Sequence, residues 1–316
     1  MDGFSAFCYD ALMLMKDSLR QVAIIGPTAS GKSALALEIA QEYEGRILSL
    51  DSLAIYREID IASAKPSSRE LTTVPHDGID ILAPDESFDV LRFVSLYHEA
   101  AAKAARQGKV LILVGGSSFY LKTLIEGVSP LPPIAEEIRL EVKTLLTRPD
   151  KAFERLQALA PDTAKRLGSG DRYRLEKALL ITLQTGLEPL EYFRLHPPVS
   201  PITEPLPIFE IETDRAKLRE RIIHRTDGML RAGLVNEIAT LESRYGRSPQ
   251  SMKAIGIVEV LDYFDGRLDY SQMRERIITN TARLAKRQRT FNRSQFQDVI
   301  RSDIEGLKKE IGKILA

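Results

Sequence analysis

The chain has 316 residues, with 44 Lys+Arg balanced by 44 Asp+Glu, so it is not a polycation that binds nucleic acid by bulk charge, although local basic clusters can still do so. One cysteine, Cys8, excludes a disulfide framework and a cysteine zinc site, and His76, His98, His196 and His224 are scattered without metal-ligand spacing. No apolar run reaches the roughly eighteen residues of a membrane span, and Asp10 interrupts the signal-like stretch Phe4–Met15, so a cytoplasmic protein without a membrane partner is expected.

The strongest local pattern comes first in the chain. Val22-Ala23-Ile24-Ile25 is an apolar strand run that stops at Gly26, and a helical pattern begins at Ala34. Between them stands Gly26-Pro27-Thr28-Ala29-Ser30-Gly31-Lys32-Ser33. Strand, G-x-x-x-x-G-K-[ST], helix is the setting of a phosphate-binding loop (P-loop). Gly26 and Gly31 admit backbone conformations that let successive N–H groups converge on phosphate oxygens. The helix N-terminus adds its dipole, Lys32 a full charge, and Ser33 a hydroxyl for a magnesium ion.

Arg46–Leu50 then predicts a short strand ending in Asp51-Ser52, and the polar stretch with Tyr56, Asp60, Lys65 and Pro66 reads as loop with some helix. Ile79–Leu82 predicts a strand and Phe88–Gln107 a helix ended by Gly108. Lys109–Val114 is the clearest strand, closed by Gly115-Gly116, after which Ser117-Ser118 cap a helix Phe119–Glu126. Strands alternating with helices predict an α/β fold, a P-loop NTPase-like doubly wound parallel sheet whose ligands gather at the carboxyl ends of its strands.

Ser129–Pro133 and Pro197–Pro201 read as proline-rich linkers around a stretch without strand pattern. Helices are expected at Glu136–Thr147, Asp150–Leu159, Pro161–Leu167, Arg172–Thr185 and Glu188–Leu195. The expected organisation is an α/β core over residues 1–130 and 201–316, interrupted by an all-helical insertion domain over 131–200. Pro207–Ile211 restores a strand, and helices follow at Asp214–Arg231, Leu234–Tyr245, Ile257–Phe264 and Ser271–Arg289. A strand at Asp298–Ile300 and a helix at Ile304–Leu315 close the chain.

Asp51, at a strand end beside the P-loop, can hold magnesium, accept a proton from a nucleophile, or simply cap its loop. Many phosphoryl-transfer enzymes place a magnesium-binding acid after a strand like Val110–Val114. Here Gly115-Gly116 stand there, which weakens an ATPase reading and suggests a flat ligand passing close to the backbone. Arginines cluster at Arg219, Arg221 and Arg225, at Arg283, Lys286, Arg287, Arg289 and Arg293, and at Arg172, Arg174 and Lys177. Each cluster is either a solvated face or part of a nucleic-acid track. The residues alone describe a P-loop enzyme acting on a phosphorylated substrate, with RNA as a candidate partner.

The sequence resembles the tRNA dimethylallyltransferases (tRNA isopentenyltransferases) from about Gln21 to the end of the basic run. The resemblance is carried by Gly26–Ser33, Asp51-Ser52 with Ile55-Tyr56, Asp60–Pro66, Leu113-Val114-Gly115-Gly116 with Tyr120, Leu131-Pro132, and Ala285-Lys286-Arg287-Gln288. It implies transfer of a dimethylallyl group from dimethylallyl diphosphate to N6 of adenosine-37, just 3′ of the anticodon, in tRNAs reading codons that begin with U. On that reading Gly26–Ser33 grip the diphosphate as a leaving group, and Mg2+ binds through Ser33. Lys32, Ser33 and Arg225 stabilise its charge, while Asp51 accepts the proton of the exocyclic amine. The implied tRNA surface comprises Asp51, Ser52, Leu53, Ala54, Ser117, Arg139, Tyr173, Arg174, Leu175, Glu176, Lys177, and Lys253, Ala254, Ile255, Gly256, Ile257 and Val258. The adenine would be flipped into a channel beside Gly115-Gly116. The family often has Thr at Ser33 and commonly at Ser117, both conservative changes. Around Gly256 it usually has Tyr and a basic residue, which Ile257-Val258 replace here, removing a ring and a charge. An enzyme that prenylates free adenylate and a P-loop nucleotide kinase or NTP-binding module are the alternatives. A monomer is expected.

Overall fold

A computed structural model of the chain describes residues 19–168 and 170–316. Cys8 and Phe4–Met15 lie outside the described residues. The elements run β1 (Gln21–Ile25), α1 (Lys32–Glu42), β2 (Arg46–Ser49), α2 (Ser68–Thr73), β3 (His76–Asp77), α3 (Val90–Arg106), β4 (Leu111–Gly115) and α4 (Ser118–Glu126). Next come α5 (Glu136–Leu145), α6 (Pro149–Leu159), α7 (Pro161–Arg166), α8 (Arg172–Thr185) and α9 (Pro189–Leu195). The chain continues with β5 (Ile208–Ile211), α10 (Arg215–Arg231), α11 (Leu234–Tyr245), α12 (Ile257–Phe264), α13 (Tyr270–Gln295), β6 (Val299–Ser302) and α14 (Ile304–Leu315).

Two compact units emerge: the described residues through Leu124 together with Pro201–Ala316, and Ile125–Ser200. In the first, the described strands form one six-stranded sheet in the order β3-β2-β4-β1-β5-β6, with every pairing parallel. Its central strands are apolar throughout because both faces are covered. Val22, Ile24, Ile112, Val114 and Phe209 face Leu35 and Ile39 of α1 and Leu307 and Ile311 of α14. The alternate residues, Ala23, Ile25, Leu111 and Leu113, join Phe93 and Tyr97 of α3 and residues of α11, α12 and α13 in a second core layer. A period of two along each strand thus feeds two cores. The second unit is helical among its described residues, α5–α9 around Val142, Leu156, Leu175 and Leu179.

Side chains mark where many helices start. Asp89 caps α3, Asp214 caps α10, Asp303 caps α14, and Ser67 with Glu70 forms a capping box on α2. Two expectations need correction. The strand expected at Ile79–Leu82 lies earlier, at His76–Asp77, because Gly78 (φ 82°) and Asp80 (φ 56°) turn the chain away from the sheet. Leu82 keeps only a single bridge to Tyr56. The helix expected to stop at Arg289 runs on to Gln295. Its last turns are tied to the sheet by Asn292 Nδ2, which donates to the buried Glu210 Oε1 at 2.8 Å.

The paired glycines at the end of β4 serve protein packing. A Cβ at Gly115 would lie 2.6 Å from Leu50 Cβ and 2.7 Å from the Leu50 carbonyl carbon, and one at Gly116 would lie 2.4 Å from Gln288 Nε2. The Cβ side of Gly115 is therefore filled by Leu50 and that of Gly116 by a side chain of α13. Gly115→Ala should lower unfolding free energy by about 2 kcal/mol or more, because Leu50 backbone cannot move without disturbing the strand end. Urea denaturation measures this, and an unchanged midpoint would contradict the packing argument.

Candidate active site

The site begins where β1 ends. The chain passes through Gly26 (φ 153°) to Gly31 (φ 100°), which precedes the first residue of α1. No side chain caps that helix and its first turn carries no acid, so its leading N–H groups stay open to an anion. The loop is braced from the α10 side. Arg221 Nη1 donates to the Ser30 carbonyl at 2.9 Å, and Arg225 Nη1 donates to Thr28 Oγ1 at 3.2 Å. These two arginines, four residues apart on one helix face, divide the work: Arg221 grips the loop backbone, whereas Arg225 lines the cavity in front of it.

That cavity has a volume of about 690 Å³. Thr28, Lys32 and Ser33 form one wall and Asp51, Ser52 and Leu53 another. Gly116–Tyr120 and Lys253–Gly256 also line the cavity, and Ile222, Met229, Ile277, Leu284 and Phe291 supply apolar surface. Charge is concentrated in it. Desolvation, reinforced by Arg225 and only partly opposed by Asp51, lowers the Lys32 pKa to about 8. Burial likewise lowers that of Arg225, against the pull of Asp51. Tyr120, stacked on Phe93 at 4.6 Å, is pushed up to about 12 by desolvation and, secondarily, by neighbouring groups that include Asp51, so it remains a neutral phenol.

Asp51 also performs the loop-capping role. Its Oδ1 accepts the N–H groups of Leu53 and Ala54 at 2.8 and 3.2 Å, while Oδ2 makes no hydrogen bond to the described protein. The loop behind Asp51 is anchored by residues whose part was not legible in the sequence. Lys65 Nζ donates to the Tyr56 carbonyl at 2.7 Å and pairs with Asp60 and Asp80. Glu237 of α11 accepts the backbone N–H groups of Asp60, Ile61 and Ala62 at 2.9, 2.7 and 2.9 Å, filling a small anion nest. Nothing local to Glu237 announces a partner about 175 residues away; in the sequence the run Asp60–Pro66 stood out only as a motif of the family resemblance.

Of the residues expected to meet tRNA, Asp51, Ser52, Leu53, Ser117, Lys253, Ala254, Ile255 and Gly256 line the cavity, and Val258 is exposed. Ala54 and Ile257 are buried in the core, so their side chains cannot touch RNA. Glu259 fixes this turn by accepting the Gly256 N–H at 2.6 Å and an Asn280 N–H at 2.6 Å. In the second unit Leu175 is buried as well. Tyr173 is exposed there with Lys177 Nζ 5.5 Å above its ring, Arg174 pairs with Asp171, and Arg139 lies 4.0 Å from Glu136. Glu176 is half-buried beside them. Pro27 lines a separate depression with Ile211 and Arg301, and Ala29 packs against the α10–α13 cluster. Ser30 is fully buried within the loop. Among the described residues no three or more His, Cys, Asp or Glu side chains group to cage a metal, and no helix is long and apolar enough to cross a membrane.

Comparisons with known proteins identify similar chains and a similar fold. A family model described as IPP transferase matches residues 54–295. The chain is 50% identical over 295 residues to a tRNA dimethylallyltransferase of a Sulfurovum species, covering 93% of this chain and 98% of that one. It is 47% identical to the tRNA dimethylallyltransferase of Sulfurimonas denitrificans, covering 94% and 100%. Its structure is similar to the full-length tRNA isopentenylpyrophosphate transferase of Bacillus halodurans, with a TM-score of 0.69, 30% identity and coverage of 94% and 96%. It is also similar to a eukaryotic dimethylallyltransferase acting on tRNA, with a TM-score of 0.77, 26% identity and coverage of 90% and 74%. An open P-loop facing a carboxylate across one cavity, within a chain matched over nearly its whole length, leads to one assignment: the chain belongs to the IPP transferase family, the tRNA dimethylallyltransferases.

Proposed function

We propose that the cavity transfers a dimethylallyl group from dimethylallyl diphosphate to the exocyclic N6 of the adenosine just 3′ of the anticodon, in tRNAs reading codons that begin with U. The observation that carries this reading is the cavity that joins the uncapped helix start of the P-loop, the cations Lys32 and Arg225 and the Asp51 carboxylate to an apolar lining. The diphosphate sits on the α1 N-terminus, with Lys32 and Arg225 beside it and the five-carbon tail against the apolar residues. The allylic C–O bond breaks and its electron pair stays on the diphosphate, where Lys32, Arg225 and the loop N–H groups meet the new charge. The N6 lone pair is delocalised into the ring, so the amine becomes a useful nucleophile only as its proton leaves. Asp51 Oδ2 takes that proton as the C–N bond forms.

Ser33 follows Lys32 at the helix start and lines the cavity. Its hydroxyl, an oxygen donor of the kind magnesium takes, would hold that ion. Bound there, the ion supplies charge neutralisation to the leaving diphosphate. The exposed Tyr173 and the nearby Lys177 of the second unit, together with Arg139 and Arg174, support a contribution to RNA binding by stacking and phosphate contact. A tRNA substrate supports a cytoplasmic location.

Three measurements test this. Incubated with dimethylallyl diphosphate and magnesium, the protein should prenylate an anticodon stem-loop and leave free AMP unmodified; product on AMP alone would assign it to the adenylate enzymes. Asp51→Asn keeps an oxygen for the Leu53 and Ala54 N–H groups while removing the base, so it should slow turnover by about 10² to 10⁴ with diphosphate binding retained. Near-wild-type turnover would exclude Asp51 as the proton acceptor. Lys32, with its pKa at about 8, is the pH-sensitive group of diphosphate binding. The bound anion favours the ammonium form, so above about pH 8 the Lys32 contribution to binding requires uptake of a proton. Calorimetry with inorganic pyrophosphate on the wild type and on Lys32→Met, whose ratio cancels the ionisation of pyrophosphate itself, should show the wild-type advantage falling by up to about tenfold per pH unit above that point. A ratio that stays constant to about pH 10 would show that Lys32 does not meet the diphosphate.

A further inference from the structure

We propose that Gln288 is a positioning residue that holds the diphosphate wall of the cavity at a set distance from the wall that receives the adenine; this rests on the prenyl-transfer reading above. Gln288 lies on α13 and lines the cavity, half-buried. Its Oε1 accepts the Thr28 N–H at 2.8 Å, and its Nε2 donates to the Gly116 carbonyl at 2.9 Å. The partners fix the orientation of the amide, because a backbone N–H requires an acceptor and a carbonyl requires a donor.

The location of these bonds gives them their importance. β1 and β4 are neighbours, and their backbone register ends at Ile25 opposite Gly115. Beyond that rung the two chains diverge, one into the P-loop and the other into the turn that starts α4. The Gln288 amide spans the gap as one further rung made by a side chain. On the P-loop side it holds Thr28, whose hydroxyl accepts from Arg225. On the other side it holds Gly116, and the next residue, Ser117, donates its N–H to the Leu50 carbonyl at 3.2 Å, one residue before Asp51. A single amide thus links the leaving-group wall to the arm that carries the carboxylate. The absence of a side chain at Gly116 is part of this device, since a Cβ there would collide with Gln288 Nε2.

Transfer requires the allylic carbon and N6 to approach within about 3–3.5 Å in line, and a misplacement of about 1 Å costs on the order of 10²-fold in rate. Loss of the rung should therefore act on the chemical step more than on affinity. Gln288→Met preserves length and removes both hydrogen bonds. Its single-turnover rate on an anticodon stem-loop should fall about 10- to 100-fold, while dissociation constants for inorganic pyrophosphate and for the stem-loop move by less than about threefold. Gln288→Glu supplies a second readout that does not depend on how well the first variant folds. When protonated, its carboxyl donates to Gly116 and accepts from Thr28, restoring both bonds; when ionised, it faces the Gly116 carbonyl with like charge. Its rate relative to wild type should therefore rise as pH falls. A methionine variant within about twofold of the wild-type rate, or one whose rate loss is matched by an equal loss of pyrophosphate affinity, overturns the proposal. So does a pH-independent rate ratio for the glutamate variant. If the wild-type protein itself forms no prenylated RNA, the functional reading falls first, which separates the two failures.

Discussion

Lys32 and Arg225 are held together in one partly desolvated cavity with Asp51 as the neighbouring carboxylate that acts on both. Burial penalises the charged ammonium and the like charge of Arg225 adds to that penalty, so Lys32 releases its proton more readily than a free lysine. The protein does not relieve that penalty internally. Arg225 donates to the neutral hydroxyl of Thr28 rather than to an acid, and the start of α1 has neither a side-chain cap nor an acid in its first turn. In the proposed reaction an incoming diphosphate supplies the missing negative charge. In that reaction the charge grows as the C–O bond breaks, so donors fixed before the reaction stabilise the transition state more than the bound substrate.

Such an arrangement works only if the walls around it are rigid, and the fold provides this through contacts far apart in the chain. The parallel sheet delivers the P-loop, the Asp51 arm and the Gly115-Gly116 turn to one edge because all its strands point the same way. Loops leaving that edge would otherwise be mobile. Lys65 gathers Tyr56, Asp60 and Asp80, and Glu237 holds three consecutive N–H groups of the same loop. Arg221 does the equivalent for the P-loop by binding the Ser30 carbonyl. The helices after β5 thus brace the loops at the sheet edge as well as covering its face.

This division explains what the sequence revealed and what it did not. The P-loop was readable because its glycines, Lys32 and Ser33 are local and lie between an apolar strand and a helix. The strand ending before Asp51 was readable for the same reason. The edge strand was misplaced because the apolar spacing of Ile79 and Ile81 resembles a strand, whereas Gly78 and Asp80 adopt positive φ and Ile81 is exposed. The C-terminal limit of α13 was missed because its polar last turns are held by a tertiary bond from Asn292 to Glu210 rather than by an apolar stripe. The tie between Thr28 and Gln288 spans 260 residues, and no periodicity or spacing rule encodes a partner at that distance.

The glycines closing β4 gather these points into one comparison with phosphoryl-transfer enzymes. Where such enzymes commonly hold magnesium with an acid after the corresponding strand, this chain has Gly115 against Leu50 and Gly116 against Gln288. The nearby carboxylate instead follows β2, at Asp51, across the cavity from Lys32. An acid after β4 would lie beside the phosphate cradle and favour chemistry at phosphorus. A carboxylate at Asp51 has one oxygen tied to its own loop and the other unbonded to the described protein, and in the proposed reaction that second oxygen takes the amine proton. In the proposed reaction the same kind of loop and helix that retains phosphates in a kinase releases a diphosphate intact, because the bond that breaks lies on the carbon side of the bridging oxygen.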